Sequence, residues 1–315
     1  MSFRALFSMI IGALVAAACD SGTADHGSIV ETRPYSCPSW RCGLNAAEVN
    51  GHSLQELNLD GLLNQDGARM VGWSPPPFRF GYSLSVEGDE LVFRKGPSAL
   101  RGDQIVGAII WVQLPGGLSV PVTIADYQAV PSWAAGHPAI AAYTLQYPEL
   151  QEVLGVKNVC AGDVVDPLFN VVTVLGGERY DAQTKSVIAG QSRWFTIACA
   201  GSAAAKLKLL GYGPQSSATT PARRQATLKM ITADYCGGGH SYTENGTEVL
   251  WANADGSVAP DAGTALGEVE AIWTASGALC LDATRIADTE VACNLPTCVG
   301  LDLSNGEWIT HVPAE

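Results

Sequence analysis

Residues 104–127 read QIVGAIIWVQLPGGLSVPVTIADY, and this stretch sets the expected fold class. Two apolar runs, rich in the Val, Ile and Trp that favour strands, flank a turn at Gly116 and Gly117. A second hairpin is predicted at residues 83–93, SLSVEGDELVF, where Glu-Gly-Asp separates two short runs. Hairpins of this kind indicate antiparallel sheets.

The same pattern of short β-prone runs continues on both sides of these hairpins. Further strands are predicted in SLQELNLDG, ARMVGW, EVLWAN, GEVEAIWT and ALCLDAT, and at residues 139–147, 170–175 and 194–199. The predicted fold is therefore mainly β with two short helices (α+β), arranged as a β-sandwich or a partly open barrel and stabilised by disulfides.

The two helices are predicted from their capping residues. Ser202 caps a short Ala- and Leu-rich helix, and Gly211 lies just past its end. Thr220 caps the second helix, Pro221 fits its first position, and the helix should end near Ala233.

Composition sets limits on partners. Of 315 residues 47% are hydrophobic and only 16% are charged, which allows a large core and argues against disorder. The net charge of −13 would repel a polyanion, so nucleic acid is not an expected partner. The simplest interpretation of the acidity is solubility.

The N-terminus is predicted to be an export signal. Residues 1–18 combine Arg4 with an apolar stretch that is shorter than a membrane span and ends in three Ala before Cys19. Small residues directly before a Cys resemble the bacterial lipobox, so we expect a lipoprotein signal peptide and lipidation of Cys19. The alternative is an ordinary secretory signal that happens to precede a Cys. Residues 19–36 are expected to form a flexible tether.

Cysteine usage agrees with export. The chain has nine Cys, and assigning Cys19 to the lipid leaves an even number for disulfides in an oxidising compartment. Two pairs enclose only four residues each, and we expect both to close locally: Cys37 with Cys42, and Cys293 with Cys298. Two longer bridges are expected among Cys160, Cys199, Cys236 and Cys280. A zinc site is the alternative, but no Cys-x-x-Cys occurs, and no metal is predicted.

Residues 231–247, ITADYCGGGHSYTENGT, carry a family resemblance. Together with Thr196–Cys199, the Ala-Lys helix, Gly211–Pro214 and the runs ending at Trp273 and Cys280, they resemble the ADYC domain, a family of uncharacterised bacterial exported proteins. The resemblance covers about residues 191–300 and implies no activity or cofactor. Two positions where the family often has Cys hold Leu207 and Thr227, which implies the loss of one helix-to-helix bridge.

The domain division follows from this resemblance. A β-rich domain is predicted at residues 37–190, an ADYC-like domain at residues 191–300 and a C-terminal tail at residues 301–315.

Asp234, Tyr235, Cys236 and His240 form a candidate site, in which Asp234 and His240 could act as acid and base or bind a metal. The alternative is structural: Asp234 caps a turn and His240 is exposed. Hydrolase, calcium-loop and phosphate-loop motifs do not occur in the sequence.

The sequence predicts a protein with a binding or structural role, more consistent with a non-enzyme than with an enzyme, and without a cofactor. It should lie at the cell envelope, on the periplasmic side or the surface, held to the membrane by the N-terminal lipid. Its expected partner is an envelope protein or glycan. The alternative function is an envelope hydrolase with a site near Asp234 and His240.

Overall fold

The computed structural model of the chain describes residues 46–149, 155–160, 170–244 and 247–314. The predicted signal peptide and tether lie outside these residues, as do Cys19, Cys37 and Cys42, and the predictions about them stay predictions. All described residues belong to one compact unit. The domain boundary at residue 190 also stays a prediction.

The described residues form nineteen strands and two α-helices, α1 and α2. In chain order the strands are β1 Glu48–Val49, β2 His52–Ser53, β3 Glu56–Asn58, β4 Arg69–Ser74, β5 Ser83–Glu87, β6 Glu90–Lys95, β7 Ser98–Leu100, β8 Ile109–Gln113, β9 Ser119–Val130, β10 Ile140–Pro148, β11 Val156–Asn158, β12 Val172–Gly176, β13 Arg179–Asp181, β14 Ser186–Ile188, β15 Trp194–Cys199, β16 Leu250–Asn253, β17 Leu266–Thr274, β18 Gly277–Leu281 and β19 Trp308–Pro313. The helices are α1 Ala203–Leu209 and α2 Pro221–Thr232. The mainly β class with two short helices is confirmed.

Eight strands form one antiparallel sheet around the first core. Its order is β3-β15-β12-β10-β9-β8-β4, and β11 pairs with β10 beside this path. The end strands β3 and β4 lie in contact without pairing, so within the described residues the sheet does not close into a barrel. Its interior is filled by apolar side chains, among them Leu57, Met70, Ile110, Val122, Tyr143, Val174 and Phe195.

The hairpin of β8 and β9 forms as predicted. Ile110 and Val112 alternate with less buried neighbours, which is the period of a strand with one face on the core. Gly116 and Gly117 have φ near +90°, a conformation that favours glycine, and the turn lies there. The beginning of the predicted run differs, because residues Gly102–Ile105 form a 3₁₀ turn before the strand.

Helices α1 and α2 and a four-stranded sheet surround the second core. The sheet order is β16-β19-β17-β18, and α2 packs against β17. Strand β19 lies in residues 301–315, for which the sequence predicts only a tail. It lies between β16 and β17, and its first residue, Trp308, is completely buried.

Both helix starts are confirmed. The Ser202 hydroxyl accepts the N–H of Ala205, and the Thr220 hydroxyl accepts that of Arg223. No helix among the described residues has the length and apolarity to cross a bilayer.

Three disulfides staple the described residues. They join Cys160 to Cys199, Cys236 to Cys293 and Cys280 to Cys298. The predicted local bridge between Cys293 and Cys298 is therefore wrong. The reason is that residues 293–298 run without a turn: Pro296 O accepts the N–H of Leu281, which brings Cys298 to Cys280 on β18 and leaves Cys293 at Cys236. Disulfides of this kind indicate an oxidising, extracytoplasmic compartment.

Candidate functional site

The Ala-Asp-Tyr-Cys motif forms the turn that follows α2. Ala233 adopts a left-handed conformation, with φ of 48°, and ends the helix. Asp234 is completely buried, and its Oδ2 accepts hydrogen bonds from Lys229 Nζ at 2.6 Å and from the N–H of Gly239 at 2.7 Å. This ion pair joins the turn to the last turn of α2 and to the glycine-rich loop.

Tyr235 connects the turn to the four-stranded sheet. Its hydroxyl donates to Glu270 Oε1 at 2.8 Å and accepts the N–H of Arg285 at 2.8 Å. Its ring stacks on Trp273, with 5.3 Å between ring centroids. Burial raises the pKa of Tyr235, so the hydroxyl keeps its proton and acts as a structural donor.

The glycines after the motif permit close backbone contacts. A Cβ on Gly237 would lie 2.0 Å from the carbonyl oxygen of Ser276, in the β17–β18 turn. A Cβ on Gly239 would lie 2.2 Å from the carbonyl oxygen of Gln183, in the β13–β14 turn. The motif thus holds two hairpins against α2, which is a structural role.

The structure does not assemble the predicted acid–base pair. Asp234 is committed to Lys229, whereas His240 is exposed and packs edge-on against Tyr242. No hydrogen bond joins Asp234 and His240 among the described residues, so the geometry favours the structural alternative. Within the same residues no group of three His, Cys, Asp or Glu could hold a metal ion.

A cavity of about 260 Å³ lies between both helices, the β13–β14 hairpin, the segment after the motif and β16. Its apolar wall is formed by Leu228, Ile231 and Trp251. Ser202 and Thr232 also lie on the lining. The cavity is open on one side, and its mixed apolar and polar lining is typical of small-molecule sites.

Lys206, in the middle of α1, is the unusual residue of this cavity. Its side chain lines the cavity, yet the residue is only 5% exposed. Among the described residues its ammonium has no hydrogen bond and no ion pair. Burial, with the nearby charge of Arg285, lowers the pKa of Lys206 to about 8.

Lys208, two residues later, shows the ordinary way to bury a lysine. Its ammonium donates to Asp89 O, Thr173 Oγ1 and Val174 O at 2.8 to 2.9 Å. Burial also lowers the pKa of Lys208 to about 8. Lys208 does not line the cavity, so the two lysines differ in their partners and not in their degree of burial.

Arg285 lines the cavity, but its charge is already paired. Its Nε donates to Glu270 Oε1 at 3.1 Å, and its other nitrogens donate to the carbonyl oxygens of Ile231 and Met230. Glu270 is thereby committed to Arg285 and Tyr235 and does not neutralise Lys206.

Charged side chains of both signs lie on the cavity lining beside Lys206. Asp181 caps the β13–β14 turn, and the N–H of Thr184 lowers its pKa. Lys185 donates to the carbonyl oxygen of Ala182, and Glu244 lies on the segment after the motif. Because both signs are present, the lining carries no strong net field apart from Lys206.

The sequence predicts Lys206 only as part of the Ala-Lys helix, and its place on a cavity is not among the predictions. The available signal was its setting in SAAAKLKLLG, where almost every residue is small or apolar. Lysine in a helix that is apolar on all sides must be buried, and a buried lysine needs a reason.

The two positions where the family often has Cys lie in this region as well. Leu207 and Thr227 are completely buried, and Thr227 Oγ1 accepts the indole N–H of Trp308 at 2.8 Å. Leu207 thus contributes apolar packing and Thr227 contributes this hydrogen bond, at the two positions where the resemblance implies that a disulfide between the helices is lost.

Comparison with known proteins gives one result. No curated protein and no solved structure matches the chain at a significant level. The model of the ADYC domain matches residues 102–287, which starts well before the stretch of about residues 191–300 on which the resemblance rested. Because this match covers more than half of the sequence, the chain belongs to the ADYC domain family.

Proposed function

We propose that the chain is an exported, lipid-anchored protein of the cell envelope that binds a small, partly apolar molecule in the cavity beside Lys206. The proposed role is binding rather than turnover. The observation that carries it is Lys206, which is only 5% exposed, lines the cavity and has no acceptor for its ammonium among the described residues.

A buried charge without a partner lowers the stability of the folded protein. Taking an ammonium out of water without a partner costs several kcal/mol after relaxation, which is a large part of the stability of a domain. A ligand that brings an oxygen acceptor to Lys206 would offset this cost on binding. The apolar wall of Leu228, Ile231 and Trp251 would take the rest of the ligand.

The volume of the cavity limits the ligand. About 260 Å³ lies just below the common range for ligand pockets, roughly 300 to 1,000 Å³. A benzene ring with a short polar arm has a suitable size, and phenylacetate is a convenient probe.

Calorimetric titration of the purified protein tests the binding proposal. Phenylacetate should bind, and its uncharged analogue 2-phenylethanol should bind at least tenfold more weakly. The variant Ala203→Phe, which fills the cavity from α1, should abolish binding, whereas Ala254→Phe, at an exposed position off the lining, should leave it unchanged. Absence of binding by phenylacetate, or equal binding in both variants, would overturn the proposal.

Lipid anchoring through Cys19 is supported by the small residues before it and by the oxidising compartment that the disulfides indicate. The mature protein should begin at a lipid-modified Cys19, which intact mass measurement would detect. Cys19→Ser should move the protein from the membrane fraction to the soluble fraction. A wild-type protein whose mature N-terminus carries no lipid would contradict the anchor and leave simple secretion.

A further inference from the structure

We propose that Lys206 is a nucleophilic amine that forms a reversible imine with a small aldehyde or ketone bound in the cavity. This inference rests on the proposed function, because it needs a ligand in the same cavity. It adds the chemical class of that ligand, a carbonyl compound, and the covalent bond that holds it.

Lys206 and Lys208 differ in the acceptors that surround their amines. A buried lysine that serves structure has its ammonium bound by acceptors, as Lys208 does with three. Hydrogen bonds to acceptors stabilise the protonated ammonium, and an ammonium has no lone pair with which to attack a carbonyl carbon. Lys206 has no such acceptor among the described residues and lines a cavity that admits a ligand. The two lysines of α1 therefore differ in the partners of their amines and in their access to the cavity.

The second argument is the charge around Lys206. A lysine in an apolar pocket or next to another cation is the usual activated amine, because its charged form is disfavoured. Lys206 has both features, since it is buried and lies near the guanidinium of Arg285. With a pKa of about 8, roughly a quarter of Lys206 is neutral at pH 7.5, against about one in a thousand for an exposed lysine.

The chemistry needs no co-reactant. The neutral amine attacks the carbonyl carbon, a C–N bond forms, and a proton passes from nitrogen to oxygen to give a carbinolamine. Loss of the hydroxyl as water then leaves a C=N bond, so the products are the imine and one water molecule. The reverse reaction with water releases the carbonyl compound.

Ser202 is the best-placed proton donor for the loss of water. It lies four residues before Lys206, on the same face of α1, and also lines the cavity. Its hydroxyl oxygen accepts the N–H of Ala205, so its own proton remains free to be donated. Ser202 is accordingly assigned as a positioning and proton-donating residue.

Reductive trapping tests the inference on the full mature protein. Benzaldehyde, with sodium cyanoborohydride to reduce the imine, should add one benzyl group, and peptide mapping should locate it on Lys206. At pH 8 Lys206 should be modified at least tenfold faster than Lys208, its internal control, and than Lys185 on the same cavity. Modification that follows exposure and spares Lys206 would overturn the inference.

The pH profile gives a readout that a structural lysine would not show. The trapping rate at Lys206 should rise between pH 7 and 9 with a midpoint near 8. The charged groups that face the cavity are Arg285 with its partner Glu270, Asp181, Lys185 and Glu244. None of these carries an amine that can form an imine except Lys185, which peptide mapping separates. A rate without a midpoint in this range would contradict an amine activated by burial.

Two outcomes separate this inference from the proposed function. Binding of phenylacetate without trapping of benzaldehyde at Lys206 would refute the imine and leave the binding site standing. Failure of both would refute both. Phenylacetate should also slow the trapping at least tenfold, and Lys206→Arg, which keeps the charge and removes the nucleophile, should abolish it at this position.

Discussion

Replacing Lys206 by Met should make the protein more stable, which is the opposite of what most buried substitutions do. Met has nearly the same length and shape and carries no charge. The folded protein lowers the pKa of Lys206 from 10.5 to about 8, so holding its ammonium in the fold costs about 3 kcal/mol at pH 7. Lys206→Met removes this cost, and the free energy of unfolding should rise by up to that amount.

The gain should depend on pH, and the sign is fixed by the direction of the shift. Because the folded pKa lies below the unfolded pKa, the unfolded chain binds more protons between pH 8 and 10.5. The free energy of unfolding of the wild type therefore rises with pH across this window. The variant Lys206→Met has no amine at this position, so its free energy of unfolding does not show this rise. Between pH 7 and 9.5 the advantage of the variant should shrink by about 2 kcal/mol.

Urea unfolding at both pH values measures these differences directly. Lys208→Met is the matched control, because it leaves three acceptors without a donor. Each orphaned group costs about 1 to 3 kcal/mol, which cancels or exceeds the relief of charge burial. A loss of stability in Lys206→Met at pH 7, or an advantage that stays constant from pH 7 to 9.5, would refute the reasoning that Lys206 is an uncompensated charge.

Two further predictions concern the motif. Tyr235→Phe leaves the N–H of Arg285 without an acceptor and removes a donor to the buried Glu270 carboxylate, so urea unfolding should show a loss of about 2 to 5 kcal/mol; a loss below about 1 kcal/mol would contradict a structural role for the hydroxyl. Replacing both Cys236 and Cys293 by Ala opens a loop of 57 residues and should cost about 4 kcal/mol in thermal or urea unfolding; an unchanged stability would show that this bridge does not constrain the unfolded chain.

Local chemistry made most of the fold predictable. The hairpins at Gly88 and Gly116 follow from glycines that accept positive φ, and the helix starts follow from the side-chain caps Ser202 and Thr220. Strand β19 escaped prediction because it pairs with residues far away in sequence and its run is short and mixed, although Asn305-Gly306 before it is a turn signal. The pairing of Cys293 failed for the same reason, since proximity in sequence says little where the chain is extended.

The site was predictable to a smaller degree. The motif around Asp234 is easily recognised in the sequence because one turn must hold glycines, an ion pair and a disulfide. These residues are required for packing. Lys206 has no such signature. Its role depends on which acceptors surround its ammonium, and those come from elements far apart in the chain.

Most of the charged side chains buried around α2 form ion pairs. Glu178 with Arg224, Lys229 with Asp234, and Glu270 with Arg285 are all less than one tenth exposed, and each is paired. Because the fold provides an opposite charge for each of these buried side chains, a buried charge without a partner is unusual in this protein. Among the described residues Lys206 has no such partner, and it lies on the lining of the cavity. Buried polar groups without a partner in the protein are expected at functional sites, because a bound ligand can supply the missing hydrogen-bond partner.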